Sequence, residues 1–249
     1  MESTESFNYL IKYIELLKRA AAQLNQRIPQ PNWDGRHFRY KDPNPYTFLV
    51  LKMSRMVSGF HSALLLTQIG LFEDAGAIHR VIIECTHDID FVINGLTQDP
   101  FPENVQRLLD AFFENHDLTP DEMLQTMKKP ATFPRKKVYP TVGRFLAPEN
   151  PDRPQRIMKV TEEMFSGYVH ASYPHVMEMY EGSRNEFQMS GIKARIPEWT
   201  KQLALRIDSA LTQFALLAKT LGLADLANEL LVAREALEQS KLYERPLSS

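Results

Sequence analysis

The chain has 249 residues, of which 43% are hydrophobic and 24% charged, and its formal net charge is −2. This composition is typical of a folded domain with a sizeable core and excludes intrinsic disorder. The single cysteine, Cys85, excludes an internal disulfide and zinc sites with several cysteine ligands. The nearly neutral charge gives no general attraction to nucleic acid or anionic membranes.

Low glycine content and an abundance of good helix-forming residues favour helices over a β-sandwich or barrel. We therefore predict an all-α fold, a helical bundle with long central helices, a proline-rich irregular insertion and one small β-hairpin near residues 186–196. No run of about 18 uncharged apolar residues occurs, so we expect a cytoplasmic protein that does not associate with a membrane.

The first predicted elements are a helix over residues 4–27 and a polar, aromatic connector over residues 33–41, expected to lie on the core. A second helix begins at Pro45, a favourable first-turn residue, and ends before Gly70. These elements belong to a single predicted domain with four successive segments: an N-terminal helix and linker (1–44), a central helix pair (45–99), an irregular insertion with short helices (100–151) and C-terminal helices (152–249).

The third helix has the clearest pattern. Asp74 is expected to cap it, and Phe91 lies outside its seam, which predicts that much of the helix is buried. The seam itself repeats every three or four residues, as in four-helix bundles. Its members are Ala75, Ile78, Ile82, Cys85, Ile89, Val92 and Leu96.

Later elements are shorter and interrupted by prolines. Alternating apolar residues around Ser190 and Gly191 predict the small hairpin. Helices are predicted near residues 103–115 and 120–127, over 153–171 with Asp152 as its cap, and over 197–221 and 223–242 at the C-terminal end.

A polar stripe lies roughly opposite the apolar seam of the third helix. Arg80, Glu84 and His87 share it, with Phe91 one turn further. An arginine and a histidine at this spacing match the R-x(4–6)-H motif of ribonucleases of the HEPN superfamily. There, histidine can move a proton of the RNA 2′-hydroxyl and arginine can stabilise charge on the phosphate. The alternative is a partly buried ion pair of Arg80 with Glu84.

The same turn of helix matches the E-x-x-H pair of di-iron bundles, with Glu84 and His87 as the pair. Such bundles need a second pair on another helix, and His175 and Glu178 stand in the reverse order. We therefore predict neither a metal ion nor another cofactor.

A second polar group, Tyr168, His170 and Ser172, ends an otherwise apolar helix. His170 could act as a general base. The interpretation that we favour is that His170 binds a carboxylate and fixes helix packing, with Glu84 as the expected partner.

Acidic residues dominate positions 73–122 and basic residues dominate positions 125–159. In the basic segment, Lys136, Lys137 and Arg144 are candidates for binding a phosphate-bearing partner such as RNA, although the net charge does not favour RNA. The alternative is that the acidic and basic segments face each other or are both solvated.

Two parts of the chain, within residues 45–180, resemble a group of uncharacterised bacterial helical domains that is distantly similar to the HEPN superfamily. The resemblance implies a bundle in which Arg80, Glu84 and His170 meet in one polar cluster, and it implies no established activity. Val81 follows Arg80 where an Asn or Asp would fit the HEPN ribonuclease pattern. The resemblance rests on Ala63, Gly70, Leu71, Ala75, Arg80 and Glu84, and on the later segment Tyr168, Val169, His170, Ala171 and Ser172.

Three functional hypotheses follow. The first is a non-catalytic helical interaction or regulatory protein that could form homo-oligomers. The second is a metal-independent ribonuclease of HEPN type that uses Arg80 with His87 or His170. The third is a small-molecule or metal site in the bundle core, lined by Tyr168, His170, Glu84 and Arg80.

Overall fold

A computed structural model describes residues 3–35, 38–41, 43–114, 133–240 and 242. The described residues form a bundle of nine α-helices with two two-stranded hairpins, which confirms the predicted fold class. Within those residues, no helix is both long enough and apolar enough to cross a membrane. The helix predicted over residues 120–127 lies outside the described residues.

The helices and strands follow one another along the chain with short connections. In order they are α1 (Ser3–Asn25), β1 (Asn32–Trp33), β2 (Phe38–Arg39), α2 (Pro45–Ile69), α3 (Phe72–Leu96), α4 (Glu103–Glu114), α5 (Val138–Leu146), α6 (Asp152–Val169), α7 (Tyr173–Met177), β3 (Tyr180–Glu181), β4 (Glu186–Phe187), α8 (Ile196–Thr220) and α9 (Ala224–Glu238). Two 3₁₀ turns, Arg135–Lys137 and Lys193–Arg195, precede α5 and α8.

Helix α2 has the predicted boundaries because both of its ends carry strong local signals. The side chain of Asn44 accepts a hydrogen bond from the Thr47 amide at 3.0 Å, and Pro45 occupies the first turn. At the other end Gly70 has a φ of 82°, and its N–H bonds the last carbonyls of the helix.

Helix α3 lies at the centre of the bundle, in contact with α2, α5, α6 and α8. Ala75, Ile82, Ile89 and Val92 of the predicted seam are completely buried, and Phe91 on the other side is buried too. Asp74 does not cap this helix. The cap position is Leu71, which makes no side-chain cap bond, and Asp74 lies inside the first turn.

Both hairpins differ from the sequence predictions. Strands β1 and β2 project Trp33 and Phe38 away from the core, where the two rings pack on each other 5.1 Å apart and stay more than half exposed. The second hairpin pairs β3 with β4 and turns before the predicted position. Gly191 does not form its turn, because this residue packs against the end of α2, where the Ile192 amide donates to the Gly70 carbonyl at 2.9 Å.

Gly76 allows α6 to approach α3 closely. A Cβ atom at this position would overlap the ring of Tyr168 and lie 2.9 Å from its Cβ. We expect Gly76→Ala to lower the free energy of unfolding by about 1–3 kcal/mol through this overlap, despite the better helix propensity of alanine. Denaturation of Gly76→Ala alone and together with Tyr168→Ala tests the cause, since the penalty should shrink when the ring is absent.

Candidate functional site

Glu162 on α6 is the centre of a buried group of charges on the polar stripe of α3. Its side chain is only 6% exposed, and its Oε1 accepts a hydrogen bond from Arg80 Nη2 at 2.8 Å. Its Oε2 lies 3.3 Å from His87 Nδ1 and 3.4 Å from Arg135 Nη2. One carboxylate therefore connects α3, α6 and the turn before α5.

The group extends towards α2 through Asp88. This carboxylate accepts hydrogen bonds from Lys52, at 2.9 Å, and from Arg135. On the opposite side, Glu84 binds Arg80 Nη1 at 2.6 Å. We call this set the ionic cluster, and its charges balance: the cations are Lys52, Arg80 and Arg135, and the anions are Glu84, Asp88 and Glu162.

The pKa values within the ionic cluster follow from burial and pairing. Burial alone would raise the pKa of the Glu162 carboxyl, but the hydrogen bond from His87 and the charges of Arg135 and Arg80 lower it to about 2. Burial lowers the pKa of His87, against the opposing effect of its bond to Glu162. At neutral pH the neutral imidazole therefore donates from Nδ1 to the ionised Glu162.

The structure brings together three of the four predicted catalytic residues: Arg80, Glu84 and His87. His170 does not join them. It is exposed just beyond α6, eight residues and about 12 Å along the helix from Glu162. The expected contact between His170 and Glu84 is therefore wrong, and Glu162 is the carboxylate that links α6 to the stripe on α3.

Tyr168 lies apart from the ionic cluster. Its hydroxyl donates to Glu178 at 3.1 Å, and its ring lines a separate pocket of about 510 Å³ beside Glu73 and Arg195. The four residues predicted to line one small-molecule site thus do not share a cavity. No group of three or more His, Cys, Asp and Glu side chains is placed to hold a metal ion among the residues that the structure describes.

The basic segment has two different environments. Arg135 is part of the ionic cluster, so here the acidic and basic segments do face each other. Lys136 and Arg144 are exposed, and Lys137 Nζ lies 3.4 Å from Asn104 Oδ1. Arg144 borders a shallow groove of about 490 Å³. Residues 125–132 of this segment lie outside the described residues.

A cleft of about 570 Å³ opens between α3, α5, α6 and α8, on the other side of His87 from the ionic cluster. We call it the interhelical cleft. It combines an apolar wall with several polar side chains. The apolar lining is Phe145, Leu146, Pro154, Ile157, Met158 and Leu216, and the polar lining is Thr86, His87, Asp90, Thr161, Arg206, Asp208, Ser209, Thr212 and Gln213.

Arg206 is the unusual residue of the interhelical cleft. Its guanidinium makes no hydrogen bond or ion pair with any residue that the structure describes, and its Nε is buried. Burial lowers its pKa to about 10, so the group is still charged at neutral pH. Asp208, which also lines the cleft, lies 3.1 Å from Arg234 and therefore has another cation as its partner.

Gln213 and Asp90 form the other end of the interhelical cleft. Gln213 Nε2 donates to the Thr86 carbonyl at 2.9 Å and to Asp90 Oδ1 at 2.7 Å. Since both partners are acceptors, the amide orientation is fixed, and the buried Oε1 of Gln213 has no donor among the described residues. Burial raises the pKa of the Asp90 carboxyl to about 7, although the bond from Gln213 opposes this shift.

Comparison with known proteins gives no further guide to this cleft. Neither a protein-family model, nor a curated protein, nor a solved structure matches the chain. The function must therefore be inferred from the chemistry of the two polar regions, the ionic cluster and the interhelical cleft.

Proposed function

We propose that this protein binds a small organic anion in the interhelical cleft. The observation that carries the proposal is Arg206, a largely buried guanidinium without an acidic partner among the described residues. Proteins rarely bury a charge unless another group compensates it. A carboxylate or phosphate supplied by a ligand would provide that compensation, since a guanidinium offers paired N–H donors to either group.

Other partly buried arginines of the chain provide the contrast. Arg80 and Arg135 each bind two carboxylates, and Arg195 binds Glu178 and Glu198. These residues have the partners that Arg206 lacks. The volume of the interhelical cleft, about 570 Å³, is also within the range of small-molecule sites, and its lining has the usual mixture of apolar walls and a few polar groups.

This proposal moves the small-molecule hypothesis to a site that sequence analysis did not identify. The ribonuclease hypothesis has less support, because Glu84 and Glu162 already bind the two terminal nitrogens of Arg80 and leave neither free for a phosphate. A helical regulatory protein, the first hypothesis, remains consistent with a ligand in the cleft, since bundles can bind such ligands in their cores.

A thermal-shift screen tests the proposal. We expect some small carboxylates or phosphate monoesters, such as octanoate and phenyl phosphate, to raise the melting temperature of the wild-type protein, because a ligand of the folded state stabilises it. The shift should disappear in Arg206→Gln. The matched control is Arg144→Gln, which removes an exposed arginine that the sequence suggested as a ligand-binding residue, and it should retain the shift.

Either of two outcomes would argue against binding at Arg206. The first is that no anion of the panel stabilises the wild type even at millimolar concentration. The second is that Arg206→Gln, folded and cooperative in its own melt, shows the same shift as the wild type.

A further inference from the structure

We infer that the ligand of the interhelical cleft is an elongated amphiphilic anion with a hydrogen-bond donor at the end opposite its negative charge. This inference rests on the proposed function, the binding of an anion at Arg206, and adds the chemical class of the ligand. It follows from the arrangement of Arg206, Gln213 and Asp90 along the cleft.

The two polar ends are set by the geometry of one helix. Arg206 and Gln213 are seven residues apart on α8, which places them on the same face and about 10 Å apart along the axis. Both line the interhelical cleft. No carboxylate of the described residues forms an ion pair with Arg206, and Asp90 is bonded to Gln213 instead. The positive end and the Gln213 end are therefore separate.

The Gln213 end calls for a donor. Gln213 is 3% exposed, and its Oε1 is a buried acceptor without a partner in the described part of the chain. Leaving such an acceptor unpaired is costly, and a ligand O–H or N–H would satisfy it. Its amide nitrogen cannot exchange places with Oε1, because the Thr86 carbonyl and Asp90 both need a donor.

The wall between these ends is suited to an apolar chain. Met158 is buried beside the cleft, while Leu146, Ile157 and Leu216 line it and remain 42–55% exposed. Covering these side chains removes apolar surface from water, which favours a ligand with a hydrocarbon or flat apolar middle. A compact inorganic anion would engage Arg206 and leave the rest of the cleft unused.

Three chain-matched probes test the inference by calorimetric titration: octanoate, ω-hydroxyoctanoate and ω-methoxyoctanoate. The hydroxyl adds a donor, whereas the methyl ether adds an oxygen that cannot donate. We expect the hydroxy acid to bind roughly three- to tenfold more tightly than octanoate, and the methoxy acid to gain nothing, because only a donor can pair with Gln213 Oε1.

The variants Gln213→Leu and Arg206→Gln separate the two ends. Gln213→Leu should bind both acids equally, while Arg206→Gln should bind neither. Since Gln213→Leu also removes two internal hydrogen bonds, the comparison of hydroxy and methoxy acids on the wild type keeps the test valid if that variant does not fold.

Equal affinity of the wild type for the three acids, with binding lost in Arg206→Gln, would overturn this inference and leave the proposed anion site intact. Failure of all three acids to bind in an Arg206-dependent manner would overturn the inference, and the same result across the wider anion panel would overturn the proposed function.

Discussion

Glu162→Ala is expected to lower the free energy of unfolding by about 3–5 kcal/mol, because it leaves several buried donors without their carboxylate. Arg80, Arg135 and His87 all bind Glu162, whose side chain is 6% exposed. Chemical denaturation of the variant measures the loss. Glu162→Gln keeps the size of the side chain and removes its charge, so it measures the loss if the alanine variant does not fold.

Glu84→Ala is the matched control for this prediction. It also removes a carboxylate from Arg80, but Glu84 is 41% exposed and has no other ion-pair partner in the described residues. We expect a loss below about 1 kcal/mol, as for exposed ion pairs. Equal losses in Glu84→Ala and Glu162→Ala would show that the ionic cluster is not centred on Glu162.

Asp90→Asn is expected to change how stability depends on pH. The pKa of Asp90 is raised from 3.8 to about 7, so between these values the folded protein keeps a proton that the unfolded chain has lost. The contribution of Asp90 to stability therefore falls as the pH rises from about 4 to about 7, and then levels off. Asparagine cannot ionise, so the variant should lose this dependence.

The measurement is the free energy of unfolding of both proteins across that pH range. We expect the difference, variant minus wild type, to rise by about 2–4 kcal/mol between the two ends. Asp225→Asn, at an exposed position of α9, is the control and should run parallel to the wild type. Parallel curves for Asp90→Asn and wild type would show that Asp90 is ionised normally in the folded protein.

Elements with local signals could be predicted from the sequence. Asn44, Pro45 and Gly70 define α2 through contacts within a few residues, and the seam of α3 follows from its own periodicity. The position of the second hairpin could not be predicted, because Gly191 is held by Gly70, far away in the chain. Contacts of this kind depend on the tertiary fold rather than on local pattern.

The candidate site was predictable only in part. The spacing of Arg80, Glu84 and His87 does place them on one face, but spacing does not say which carboxylate of another helix meets them. Glu162 had a signal, since it stands between the apolar positions Met158 and Phe165 on the buried face of α6. His170, eight residues later and beyond the helix end, has no such position.

The interhelical cleft was missed because its defining property is the lack of a partner. A sequence shows that Arg206 and Gln213 lie seven residues apart on one face of a largely apolar helix. It does not show that Asp208, the nearest acidic residue in the chain, pairs with Arg234 instead. Only the packing of α3, α6 and α8 makes the unpaired guanidinium visible.

NMR of the arginine side chains tests the anion site most directly. The Nε–H signal of Arg206, assigned by its loss in Arg206→Gln, should shift when octanoate or phenyl phosphate is added, because the ligand anion would engage the unpaired guanidinium. The Nε–H signals of Arg80 and Arg135 should stay in place, since their guanidiniums are already bound by carboxylates. If the Arg206 signal remains unchanged at saturating ligand while other arginine signals move, the anion binds elsewhere and the proposed function is wrong.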